Sequence, residues 1–152
     1  MIVSPRFSHL GIFRWCLLLA FLLAGIELRA EDLNLEAQLI WGTNSDKAPE
    51  PVLPEVGQDT AKRFGKVFKW KHYYLCNKQN AVVPNRGTKQ ITLSKQCTIE
   101  ITELPGPKVE VTLIGEGKRV NKTVKSLSKG ECFVIAGDDK NETAWFVVIT
   151  QK

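Results

Sequence analysis

The stretch FKWKHYYLC, residues 68–76, places His72 four residues before Cys76. An imidazole and a thiol are the groups from which nucleophilic and proton-transfer sites are commonly built. The chain has two histidines, and His9 falls within its first thirty residues. Beyond residue 30, any Cys-His or Ser-His pair must therefore recruit His72, and a zinc site with two or three histidines cannot be assembled. Cys76, Cys97 and Cys132 contain no C-x-x-C pair, which excludes the zinc-knuckle and thioredoxin patterns. Glu100 and Glu110 would make a carboxylate pair if their strands were neighbours, although acids on a solvated strand face are commonplace. Asp138-Asp139-Lys140-Asn141-Glu142 offers oxygen ligands but lacks the spacing of a calcium loop and holds a lysine at its centre. Gly-rich phosphate cradles, G-x-S-x-G and dinucleotide fingerprints are absent. No cofactor and no metal is implied. A hydrolase or transferase with a shallow site, using His72 with a nearby Cys or Glu, is the alternative to a non-enzymatic domain.

These residues are positioned by strands. LNLEAQLIW, residues 33–41, repeats Leu33, Leu35, Ala37, Leu39 and Trp41 at period two, the mark of a half-buried strand. Pro49, Pro51 and Pro54 then predict an extended connection, and Asp59 or Thr60 caps a short helix near residues 60–65. Further strands are expected over 67–76, 88–93, 97–103, 108–114, 118–127, 131–136 and 143–150, separated by turn chemistry such as Pro84-Asn85-Arg86-Gly87 and Gly115-Glu116-Gly117. Such spacing predicts an all-β fold, a single antiparallel β-sandwich or small barrel. CFVIA and AWFVVI are apolar on both faces, which predicts a central final hairpin. By strand alternation, Phe68, Trp70, His72 and Tyr74 point one way and Lys69, Lys71, Tyr73 and Leu75 the other, so rings build a wall and lysines face water.

The first thirty residues follow other rules. Arg6, His9 and Arg14 precede an apolar run of twelve residues, Trp15 to Ile26, and Ala30 ends the segment. This pattern is that of a secretory signal peptide, and the run is shorter than the roughly 20 residues needed to span a bilayer. An uncleaved membrane anchor is the other reading. Removing thirty of the 152 residues leaves 122, enough for one domain, with residues 31–58 as a strand plus Pro-rich acidic connection and 59–152 as the β-rich part. Arg6, Arg14, Arg29 and Glu27 leave too, so 21 bases and 16 acids become 18 and 15, a net +3. Residues 31–60 hold seven acids and Lys47 alone, whereas residues 61–98 hold nine bases and no acid. Either the acidic stretch covers the basic surface, or an acidic polymer such as nucleic acid or an anionic polysaccharide does; Lys69, Lys71, Lys78, Arg86, Lys89 and Lys95 are the candidate contacts. In an oxidising compartment the three remaining cysteines allow one disulfide, and all three pairings stay open.

The segments LEAQLIWGTN (35–44), FKWKHY (68–73) and GDDKNETAWFVV (137–148) give the chain a resemblance to small exported bacterial β-domain proteins with no assigned activity. The resemblance implies a bacterial envelope setting and an uncharacterised role, with no catalytic residues to transfer. The leading expectation beside it is a non-enzymatic secreted or periplasmic interaction domain whose partner is a protein or an envelope polymer.

Overall fold

The computed structural model describes residues 31–138 and 142–152. Residues 1–30, expected to be a signal peptide, and the tip of the last predicted turn, residues 139–141, lie outside the described residues. Nine elements follow one another: β1 (Leu33–Thr43), α1 (Gln58–Gly65), β2 (His72–Val83), β3 (Thr88–Thr92), β4 (Cys97–Leu104), β5 (Lys108–Gly115), β6 (Lys118–Ser126), β7 (Cys132–Asp138) and β8 (Thr143–Gln151). They form two four-stranded antiparallel sheets, ordered β2-β1-β8-β7 and β3-β4-β5-β6. The sheets pack as a sandwich, which decides between the two architectures expected.

The second sheet is a meander because its turns permit nothing longer. At Glu116-Gly117 both residues take positive φ, 51° and 77°, the geometry of a two-residue hairpin whose twist matches its strands. The first sheet is assembled from distant parts of the chain, with β1 between β2 and β8, so residues 33–43 are integral to it. Of the final hairpin, expected to be central, β8 is internal and β7 is an edge. The apolar outer face of β8 has a separate explanation. Ile40, Phe146, Val148 and Tyr73 are covered by Phe64 of α1 and by Trp70, forming a second core on the outside of the first sheet. The first core, between the sheets, gathers Leu35, Ala37, Ile99, Ile101, Val111, Val147 and Ile149. Gly42 is required where it stands: a Cβ there would lie 2.8 Å from the Phe146 ring and 3.0 Å from Trp70.

β2 corrects the expected strand over 67–76 at both ends. The amides of Val67 and Phe68 donate to the carbonyl of Phe64, closing the helix instead of entering a sheet. Pairing begins at His72, opposite Thr43, where β1 ends. At its other end β2 runs on to Val83, with a register shift opposite Leu39 and Ile40 that leaves Cys76 as an extra, bulged residue. The Pro-rich connection lies along the free edge of β2: Leu75 N donates to Pro54 O at 2.8 Å and Val56 N to Tyr73 O at 2.9 Å. That arrangement covers an edge otherwise open to pairing with another chain.

Candidate ligand groove at one end of the sandwich

Alternation along β1 puts Leu35, Ala37, Leu39 and Trp41 on the inner face, and register carries that face to Trp145, directly opposite Trp41 on β8, and to Tyr74 on β2. Tyr74 is buried, while Trp41 and Trp145 stay half-buried where the sheets part. Here the strands leave a groove of about 450 Å³, lined from the first sheet by Leu39, Trp41, Cys76 and Trp145 and from the second by Cys97, Leu113, Ile114 and Val120. Ser94, Gln96 and Glu116 supply the polar rim.

Trp145 is held in place by what lies beneath it. Gly137 pairs with it across β7, and a Cβ at that glycine would sit 2.2 Å from the indole. The ring therefore lies directly on backbone, a position that any side chain at 137 would deny it. On the opposite flank Trp41 tilts against Tyr74 with ring centroids 5.9 Å apart. Two indoles fixed by packing, beside aliphatic side chains and a few polar groups, give the composition of a small-molecule site within the usual volume range.

His72 takes a different part. Its Nε2 lies 3.3 Å from Asp46 and its Nδ1 3.7 Å from Glu55, and its ring stacks on Tyr74 at 6.3 Å. Both ring nitrogens face carboxylates of the Pro-rich connection, so the imidazole clamps that connection to β2. Neither Glu100 nor Glu110 finds the other directly across: Glu100 stands opposite Thr112, and Glu110 opposite Thr102 with Lys122 at 2.9 Å.

The six candidate basic residues are not gathered. Lys69 and Lys71 precede β2, Arg86 lies in the turn beyond its far end, and at roughly 3.3 Å per residue the length of β2 separates them by about 36 Å. Lys89 sits with Arg86 at that far end, Lys95 occupies the β3–β4 turn, and Lys78 is bound to Glu36 at 3.0 Å on the outer face of the first sheet. The acidic stretch thus meets the basic one at Glu36–Lys78 and at the His72 clamp. The expected assignment of faces fails, since residues 68–71 have no strand partner: Phe68 and Trp70 pack with Tyr73 and Leu75 in the outer core, Tyr74 lies on the inner face beside Trp41, and Lys69 Nζ lies 5.0 Å over the Trp70 ring. The rings themselves are wall: Trp70 is 8% exposed and Tyr74 6%.

Sequence reasoning missed the groove. Its signal was limited to two tryptophans on inner positions of period-two strands, and nothing local tells that the two are neighbours. No protein-family model, characterised protein or solved structure matches the chain. Among the described residues no helix is long and apolar enough to cross a membrane, and no cluster of three metal-ligating side chains occurs.

Proposed function

We propose that the chain is an exported, non-enzymatic binding domain of the bacterial envelope, and that its ligand is a small apolar or aromatic molecule seated in the groove against Trp41 and Trp145. The observation that carries this reading is the pair of half-buried indoles facing a groove with an aliphatic opposite wall. Ring stacking and the removal of apolar surface from water would supply the affinity, with Gln96, Ser94 and Glu116 orienting polar substituents. The leader pattern and the resemblance to exported bacterial β-domains support the setting. Polyanion binding is the weaker reading, because the candidate bases are spread along the length of β2 instead of sharing one track.

Titration with N-phenyl-1-naphthylamine tests the proposal through the probe's fluorescence and quenching of the tryptophans. One saturable site is expected, and Trp145→Ala should weaken it about tenfold, equivalent to about 1.4 kcal/mol. An enhancement that never saturates, or an affinity unchanged in both Trp145→Ala and Trp41→Ala, would remove the groove from consideration.

A further inference from the structure

We infer that Cys76 and Cys97 are the disulfide pair of this chain, closing across the groove from one sheet to the other. Three pairings are open by sequence, and position in the fold eliminates two. Cys132 opens β7, while Cys76 lies on β2, the opposite edge of the same four-stranded sheet. Three strand spacings of about 4.8 Å put them about 14 Å apart, twice the Cα separation a disulfide tolerates. Cys132 also stands opposite Thr150, on the outer face, at the end of β8 remote from Trp145. Cys97 packs against the core between the sheets, so a whole sheet thickness of about 10 Å separates it from Cys132.

The remaining pair shares one lining. Both cysteines line the groove as free thiols, and two hydrogen bonds link their surroundings: Asn77 Nδ2 donates to Leu93 O at 2.7 Å, and Leu93 N donates to Cys97 O at 2.9 Å. Cys76 is the extra residue of the β2 bulge and so stands outside the regular alternation, its Sγ 4.0 Å from the Tyr74 carbonyl. Cys76 is exposed and Cys97 half-buried, so a soluble oxidant reaches the first and the second resolves the intermediate.

The chemistry is thiol–disulfide exchange with a small disulfide such as oxidised glutathione. The Cys76 thiolate attacks one sulfur of the reagent and expels a glutathione thiolate; the Cys97 thiolate then attacks the mixed disulfide at Cys76 and expels the second. Two protein thiols are oxidised, one reagent disulfide is reduced to two thiols, and the two protons lost by the protein thiols are taken up by the two expelled glutathione thiolates. Burial raises both thiols above the ordinary cysteine range, partly offset at Cys76 by a backbone hydrogen bond from Trp41, so closure should quicken as pH rises. The inference holds whether or not the groove takes a ligand.

The full chain is equilibrated with oxidised glutathione, alkylated with iodoacetamide and digested with trypsin without reduction. The expected product joins HYYLCNK (72–78) to QCTIEITELPGPK (96–108), is lost on treatment with dithiothreitol, and forms equally in Cys132→Ser. In Cys97→Ser, Cys76 should stop as the glutathione mixed disulfide while the circular-dichroism strand signal stays unchanged. Full alkylation of Cys76 and Cys97 after equilibration would overturn the assignment, as would recovery of either one joined to the peptide of Cys132.

Discussion

Phe146→Ala is expected to destabilise the fold by about 3–5 kcal/mol, the range for truncating a fully buried phenylalanine. Phe146 is 1% exposed at the centre of the outer core, with ring centroids 4.5 Å from Phe68, 5.4 Å from Phe64 and 5.9 Å from Tyr73. Those partners come from α1, from the irregular segment 68–71 and from β2, so one ring holds three otherwise separate pieces of chain against the first sheet. Collapse cannot fill the space, because β1 and β8 are fixed by their ladder and Gly42 contributes no side chain. The measurement is the urea midpoint at constant slope. Hydrogen exchange in the same variant should rise first at Phe64 and Phe68, whose amides lie in the covering layer. A loss under about 1 kcal/mol would mean that this layer is not packed as a core, and that the apolar outer face of β8 has another purpose.

The same geometry explains how much the sequence disclosed. Period two in β1 is local, so it was legible, and two reversals of the second sheet were legible because Pro105-Gly106-Pro107 and Gly115-Glu116-Gly117 carry their own glycine or proline, whereas Leu93–Gln96 between β3 and β4 carries none. The limits of β2 were not. A strand begins where a partner is available, and Val67–Lys71 has strand-forming residues but no partner once β1 stops at Thr43. The continuation through Asn77–Val83 was hidden for the converse reason, since an edge strand can carry a polar face; Asn77 and Gln79 use that face to bond the carbonyls of Leu93 and Thr92. The groove takes its walls from β1, β2, β4, β5, β6 and β8, residues more than a hundred positions apart, and so has no local signature. Charge patterning misled for a related reason. Counting acids and bases by segment predicted one covered surface, whereas β2 carries its neighbours to opposite ends of the molecule.

Glu36 is the sharpest instance, and its titration should be visible in the stability of the whole domain. By alternation it belongs on a solvated face, yet it is only 6% exposed, with Lys152 at 2.6 Å, Lys78 at 3.0 Å and the Gln38 amide donating at 2.6 Å. Burial pushes its pKa up, but the hydrogen bonds of Lys152, Lys78 and Gln38 outweigh that and hold it at about 2, against an ordinary value of 4.5. With the folded value depressed, the unfolded chain binds more protons in this interval, so stability rises with pH. The contribution is complete above pH 4.5 and disappears as pH falls to about 2. At about 1.36 kcal/mol per unit the shift sets an upper bound of about 3 kcal/mol. Both lysines are about half exposed, 48% and 52%, so solvent screening reduces this to roughly 2 kcal/mol. Glu36→Gln should therefore lower stability by roughly that amount at pH 7, with the difference from the unaltered chain closing as pH approaches 2. Urea midpoints at pH 7, 4.5 and 2 for both proteins measure it. A gap of equal size at pH 2 and pH 7 would show that the side chain acts through packing, and that the cluster joining Lys152 and β2 to β1 is not held by charge.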